Sequence, residues 1–385
     1  MIATESAKKA IPAVGSRLEL RIDDLAFGGE GVGRVGDYVL FVPFTIPGER
    51  VEVEVLEAKK SFGRARLQRV IEASADRREA PCRYFGECGG CQYQHIDYAA
   101  QLRFKRKQIA DLFERVGGFD GGLIAEVKSC PQPFNYRNRI MVRSQRDRES
   151  GGMKIGFLAN GSKRVVDIEA CAISEPVLNE QLAELRRNPP PKGGLKNVLR
   201  RMPDGWRVGR DSFFQNNFFL LPELVKSVRG CLRESGARHL IDAYCGVGFF
   251  SLECADLVET FVGVELDLQA IRSARENMAD RGITNGQYAK GYAEDYLPGL
   301  LLRHPGESTA LIMDPPRTGC PPKAMERVRN AGPHQVIYVS CHPATLARDL
   351  KILCEGGVYE LVNVTPHDMF PQTQHVECVA DLRRR

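Results

Sequence analysis

The 385-residue sequence predicts an α/β chain: a doubly wound, mostly parallel sheet preceded by a small OB-type β-barrel and a central α+β region. From about residue 211, apolar strand-like runs alternate with helical patterns. Before residue 73, short strand-like runs are separated by turn-rich pieces. Between the two, Cys82, Cys88 and Cys91 crowd together beside Gly89 and Gly90. The length suits two or three domains, and the composition shifts place them at 11–73, 80–210 and 211–385.

In the first segment, residues 18–22, 38–42, 51–56 and 65–70 are strand candidates. Turns are expected at 27–34, which carries four glycines, and at 46–49. Short strands at this spacing predict a barrel. Its aromatic and basic side chains, among them Phe27, Arg34, Phe41, Lys59, Phe62 and Arg64, suit RNA. The polar stretch 72–81 is predicted to be a linker. A helix is expected over 98–116, strands around 140–142 and 154–158, and an exposed loop at Pro189-Pro190-Pro191.

Composition excludes some classes of function. Hydrophobic residues make up 43% and charged residues 27%, as in ordinary soluble domains. No uncharged apolar run approaches the ~18 residues of a membrane span. Residues 1–17 lack the apolar stretch of a secretory signal, so the cytoplasm is expected, with no membrane partner. Net charge is +5, but basic residues cluster at Arg103, Lys105, Arg106 and Lys107, at Arg137, Arg139, Arg143, Arg146 and Arg148, and at Arg383, Arg384 and Arg385. Such clusters suit a polyanion and equally suit solvated faces.

Twelve cysteines in a chain expected in the cytoplasm point to metal ligation or thiol chemistry rather than disulfides. Cys82, Cys88 and Cys91 have C-x5-C-x2-C spacing, able to wrap one metal centre with a fourth ligand from elsewhere. Cys130 and Cys171 compete for that place, and zinc and iron–sulfur are both open.

In the last segment, strands are predicted at 240–242, 260–264, 310–313 and 336–340. Helices are expected from about Ser251, over 268–280 and over 344–354. Ligands of such sheets bind beyond the carboxyl ends of the strands. There Asp242-Ala243-Tyr244-Cys245-Gly246-Val247-Gly248 offers two glycines for close backbone approach. Ser251 replaces the third glycine of a dinucleotide fingerprint. Glu265, ending the next strand, is placed to accept ribose hydroxyls. Asp314-Pro315-Pro316-Arg317 ends another strand with a carboxylate whose direction the prolines fix.

Cys341 follows the apolar strand 336–340, with Pro343 opening the next helix. A thiol at a helix N-terminus is expected to have a lowered pKa and to be a nucleophile, although most free cysteines are structural. A thiolate adding to carbon 6 of uracil makes carbon 5 electron-rich enough to accept a methyl group. A base must then remove the carbon 5 proton. Glu377 is the candidate base, with His375, His342 and His367 as rivals.

At this point the residues resemble a known family. Ser340-Cys341-His342-Pro343-Ala344-Thr345-Leu346-Ala347-Arg348-Asp349-Leu350, Asp314-Pro315-Pro316-Arg317 and Asp368-Met369-Phe370-Pro371-Gln372-Thr373-Gln374-His375-Val376-Glu377 are similar to the long motifs of the TrmA/RlmD group of RNA 5-methyluridine methyltransferases, in its rRNA-modifying, cluster-containing branch. The likeness covers nearly the whole chain. It implies a Rossmann-like class I methyltransferase domain, an N-terminal TRAM barrel and a central iron–sulfur domain. It implies Cys341 as nucleophile and Glu377, not a histidine, as base, with Gln215, Tyr244, Glu265 and Asp314 contacting S-adenosylmethionine. It implies a [4Fe-4S] cluster on Cys82, Cys88, Cys91 and Cys171; the absence of C-x3-C-x2-C spacing argues against a radical mechanism, so a structural or RNA-positioning role is expected. The implied partner is RNA, ribosomal rather than transfer; a monomer is expected. Phe249 departs from the family, which often carries Asn there. Two rival readings are an inactive RNA-binding protein and an iron–sulfur redox sensor. A third, amine methylation, would need neither Cys341 nor Glu377.

Overall fold

The computed structural model describes residues 11–147, 150–304 and 306–385. Residues 1–10, part of the segment read for a signal, and Arg148 lie outside them. Five strands, β1 (Arg17–Leu25), β2 (Glu30–Val35), β3 (Tyr38–Pro43), β4 (Arg50–Ala58) and β5 (Phe62–Glu72), close a barrel in the order β1-β2-β3-β5-β4. Leu20, Ile22, Leu40, Val42, Val51 and Val53 fill it.

Strand β2 occupies the stretch expected to be a turn. A Cβ on Gly31 would fall 2.0 Å from Thr45 Oγ1, and one on Gly33 would fall 1.9 Å from Leu20 Cδ1. Glycine is there because the barrel wall is closely approached, not because the chain turns. The expected linker is also tied down. Arg77 donates to the buried Glu49 Oε2 at 2.8 Å and to the Phe44 carbonyl at 2.9 Å.

Helix α1 (Tyr98–Leu112) starts at Asp97, whose side chain accepts from the Ala99 N–H. It loosens into a π-type turn over Phe113–Gly117 before Gly118 ends it at φ +73°. Next come β6 (Arg139–Arg146), β7 (Met153–Leu158), β8 (Val165–Asp167), helix α2 (Pro176–Arg187) and β9 (Lys196–Arg200). They form an antiparallel sheet ordered β8-β7-β6-β9. Along β6 every second residue is buried: Ile140 and Val142 pack with Leu178 and Leu182 of α2, while Arg139, Met141 and Arg143 face away.

The remaining elements are α3 (Leu221–Ser235), β10 (His239–Ala243), α4 (Phe249–Glu253), β11 (Thr260–Glu265), α5 (Leu268–Asp280), β12 (Gly286–Lys290), α6 (Ala293–Arg303), β13 (Thr309–Met313), α7 (Pro322–Ala331), β14 (Gln335–Ser340), α8 (Pro343–Cys354), β15 (Tyr359–His367) and β16 (Glu377–Arg384). The sheet order is β12-β11-β10-β13-β14-β16-β15. The first five strands are parallel; β16 and β15 add antiparallel. Helices α3, α4 and α5 pack one face and α6, α7 and α8 the other. The order reverses between β10 and β13, which is where such sheets open a ligand crevice. The helix expected from Ser251 is the short α4. No helix among the described residues is long and apolar enough to cross a membrane.

Candidate active site

Five of the singled-out residues stand side by side along one edge of the large sheet. Glu265 ends β11, Tyr244 follows β10, Asp314 follows β13, Cys341 follows β14 and Glu377 begins β16. The antiparallel β16 makes the last neighbour possible. Ser340 pairs with Cys378, so the next rung brings Cys341 opposite Glu377 although 36 positions separate them. At ~4.8 Å per strand, the row from Glu265 to Glu377 spans roughly 19 Å.

The left half of the row is a cradle. Tyr244 adopts φ +64°, rare for a residue with a Cβ, and its hydroxyl lies 3.6 Å from Cys320 Sγ. Gly246 has φ +54° and open space where a Cβ would point. A Cβ on Gly248 would meet Tyr288 Oη at 2.3 Å. Glu265 Oε2 accepts from the Gly246 N–H at 3.1 Å, which joins the loop to the end of β11. Asp242 is fully buried. Its Oδ2 accepts from the Ser251 N–H at 2.9 Å, while Oδ1 has no partner. Burial pushes Asp242 up to about 7, against the Ser251 hydrogen bonds and with the charge of Glu265. Half-buried Asp314 is raised by burial and then by Asp242.

Gln215 is buried in the stretch 212–217, which crosses above this edge. Ser212 Oγ donates to Asp267 Oδ2 at 3.2 Å, Asn138 to the Gln215 carbonyl at 3.0 Å, and Asn217 to the Met369 carbonyl at 3.2 Å. Phe249 turns into an aromatic cluster with Trp206, Phe214 and Phe250, at centroid distances of 5.3, 5.4 and 5.0 Å. The side chain that replaces Asn therefore packs rather than reaching the cradle.

The right half holds the reactive pair. The expectation of a lowered thiol pKa is overturned: Cys341 is pushed up to about 11 by burial first and Glu377 next, against the charge and hydrogen bond of Arg317. The Cys341 side chain precedes the N-cap residue His342, and desolvation beside a carboxyl outweighs what the helix end offers. Burial raises Glu377 well above the ordinary range, Asp314 adds to this and Arg317 opposes it. Arg317 thus touches the chemistry of both, a role the sequence reading did not give it.

The three histidines differ in their surroundings. His342 Nδ1 accepts from the Thr345 N–H at 3.3 Å. Buried His367 lies 2.9 Å from Ser227 Oγ. His375 is pushed down to about 4 by burial and then by Arg317 and Arg137. The barrel also reaches this end: the Phe27 ring meets the His342 ring edge-on at 5.9 Å.

The basic clusters separate by environment. On α1, Arg103 pairs with Asp76, Arg106 with Glu126, Lys107 with Asp24 and Asp111, and Lys105 with Asp368 inside the protein. At the C-terminus, Arg383 pairs with Asp381 and Arg385 with Glu360. Of these, Lys105 is buried with its partner, while the pairs of Arg103, Arg106, Lys107 and Arg385 lie at the surface.

Cys82, Cys88, Cys91 and Cys171 line one cavity of about 250 Å³. Cys130 does not: its thiol accepts from Asn217 at 3.3 Å and donates to the Gln132 carbonyl at 3.2 Å. Among the described residues no three Cys, His, Asp or Glu side chains stand where they could hold a single metal ion.

Comparison with known proteins agrees with this architecture. The TRAM domain family profile matches residues 13–67 and that of the tRNA (Uracil-5-)-methyltransferase family matches 200–385. An RNA methyltransferase of Thermosynechococcus vestitus is 31% identical, over 96% of this chain and 98% of its own. One from Halalkalibacterium halodurans is 33% identical, over 95% and 96%. The S-adenosyl-L-homocysteine complex of the Pyrococcus abyssi tRNA (uracil-54, C5)-methyltransferase superposes with TM-score 0.69 at 25% identity, covering 95% of this chain and all of that one. The chain belongs to the RNA uracil-5 methyltransferase family.

Proposed function

We propose that this protein methylates carbon 5 of a uridine in ribosomal RNA with S-adenosylmethionine, through a covalent bond from Cys341 to carbon 6 and with Glu377 as the base. The order of residues along the sheet edge carries this reading. Glu265 and Tyr244 stand at neighbouring strand ends where an adenosine would lie, with Gln215 in the stretch that Ser212 ties to Asp267 beside them; Cys341 and Glu377 are grouped where a base would lie; Asp314 stands between them. The cradle fits the cofactor: Gly246 leaves open space, and the buried Asp242 has an oxygen without a partner. When bound, S-adenosylmethionine supplies an electrophilic methyl group.

The chain's own residues do the rest. Cys341 gives its proton to water and its sulfur bonds to carbon 6, placing an electron pair on carbon 5. Carbon 5 takes the methyl group. Glu377 removes the carbon 5 proton, and the sulfur leaves carbon 6 with its bonding electrons, restoring the ring double bond. The Arg317 guanidinium steadies the thiolate at both ends of the cycle. Enzymes acting on a base in this way receive it out of the stack, and Phe27 stands at the mouth to support a neighbouring base. Domain limits of 11–73, 80–210 and 211–385, a monomer and a cytoplasmic location complete the reading.

The cysteine cavity suits a [4Fe-4S] cluster on Cys82, Cys88, Cys91 and Cys171. A lone zinc ion draws its sulfurs to ~2.3 Å from one point, whereas a cubane takes each sulfur at a separate corner, as thiols spread round a cavity wall require. The group would cross-link the cysteine loop to the segment bearing Cys171. The next residues, Gln92 and Tyr93, each donate a backbone N–H to the Gln372 carbonyl at 3.0 Å. The cluster's contribution is thus to hold the loop that leads to Glu377.

A second reading, transfer RNA as substrate, has one observation in its favour: the Pyrococcus abyssi enzyme, matched along its whole length, acts on tRNA. Nucleoside mass spectrometry of RNA from a strain lacking the gene tests both. Loss of one ribosomal 5-methyluridine is expected, restored by the gene and not by its Cys341→Ala form. Loss confined to tRNA would establish the second reading, and no loss in either RNA would overturn both.

A further inference from the structure

The four-stranded sheet packs α2 on one face, and the charges on its other, partly exposed face are unbalanced. Strand register sets Arg139 opposite Arg200, Met141 opposite Val198 and Arg143 opposite Lys196. All six side chains lie on the side away from α2. Like charges face each other at two of three rungs, an arrangement that costs a sheet stability. Between them is an apolar rung whose members are 45% and 44% exposed.

None of the four cations enters an ion pair among the described residues, while neighbouring Arg186, Lys154 and Arg201 all do. Arg139 Nε is buried with no partner; Arg200 donates to the Gly209 carbonyl at 3.2 Å and is held below its ordinary value by burial and then by Arg139, against the charge of Asp211. A merely solvated face would carry mixed signs, as the surface of the N-terminal barrel does with Arg50, Arg66 and Arg69 against Glu19, Glu54 and Glu52.

We infer that this face is the track for the RNA strand flanking the target uridine, with phosphates against the two basic rungs and a base against Met141 and Val198. The inference rests on the RNA-modifying reading above and names a surface for it. Three features favour single-stranded RNA. The charge is of one sign. The apolar rung offers a flat patch to one base between phosphate contacts, as sheet-face binders of single strands do. The row also points at the active site: alternate residues of β6 step by ~6.7 Å, and the next step back is Arg137, whose charge acts on His375 together with that of Arg317. Arg137 and Met141 also line the cysteine cavity, so the strand crosses its rim.

The test uses the full-length protein and a fluorescein-labelled oligouridylate, with affinity measured by anisotropy across a salt series. Arg143→Ala with Lys196→Ala is expected to weaken binding roughly tenfold at low salt. It should also flatten the plot of log affinity against log salt by about 1.4, two single-strand phosphate contacts at ~0.7 each. Thermal stability should hold or rise, because a like-charge rung is removed, and affinity for S-adenosylhomocysteine should not change. Unchanged RNA affinity and slope in the double variant would overturn the track. So would a variant that loses binding to polyglutamate but not to RNA, which would assign the face to an acidic protein. If the unaltered protein bound no RNA, the RNA-modifying reading itself would fall and the track with it.

Discussion

Lys105 Nζ lies 2.5 Å from Asp368 Oδ1, and both side chains are buried. The same ammonium donates to the carbonyls of Phe370 at 3.2 Å and His375 at 3.0 Å. One cation on α1 thereby fixes the loop between β15 and β16, whose far end is Glu377. Removing one member of a buried pair strands the other's charge, so Lys105→Met should destabilise the protein by about 3–5 kcal/mol. Adding Asp368→Asn should restore most of that stability. The methyl transfer rate should remain low in the double variant, because the two carbonyls are still unheld. Urea denaturation and single-turnover methylation measure the two effects separately.

The pair Cys341 and Arg317 governs pH dependence. With the thiol near 11, roughly one molecule in ten thousand carries the thiolate at neutral pH. Glu377, also raised, must lose its proton to act as base. Both requirements have the same sign, so kcat/KM for RNA should rise with pH through neutrality, by about tenfold per unit where one group limits. Arg317 lowers the thiol, so Arg317→Gln should raise its pKa further. The check is slower alkylation of Cys341 by iodoacetamide at mildly alkaline pH.

Much of this site was legible in the sequence because strand ends are. Asp314 behind Ala310 to Met313, and Cys341 behind Val336 to Ser340, follow buried apolar runs that announce where a parallel strand stops. The thiol's pKa was not legible, since it depends on Glu377 being opposite, and that depends on β16 running antiparallel. Nor did 27–34 disclose that Gly31 and Gly33 belong to a strand: Thr45 and Leu20 crowd them only once the barrel closes. The basic residues on α1 and on β6 look alike as text. Acidic partners distant in sequence, Asp368 for Lys105 above all, distinguish them.

Phe249 shows how a site residue can become a packing residue. Its ring lies among Trp206, Phe214 and Phe250, and the Arg281 guanidinium covers Trp206 at 3.9 Å. Phe249→Asn, which restores the commoner family residue, should cost about 3–5 kcal/mol of stability, as loss of a buried aromatic does. It should not tighten S-adenosylhomocysteine binding measured by calorimetry.

The choice of fourth cluster ligand can be read from iron. Cys88→Ser or Cys171→Ser should lower the iron and acid-labile sulfide content of purified protein. Cys130→Ser should leave both at the level of the unaltered chain, because its thiol is bonded to Asn217 and Gln132 away from the cavity.

The covalent step is tested most directly by trapping it. RNA bearing 5-fluorouridine at the target has no carbon 5 proton for Glu377 to remove, so with S-adenosylmethionine the adduct should persist. Tandem mass spectrometry of the digested complex should place the methylated fluorouridine on Cys341, and Cys341→Ala should give neither adduct nor turnover. Full turnover by Cys341→Ala, or an adduct on another residue, would contradict the account.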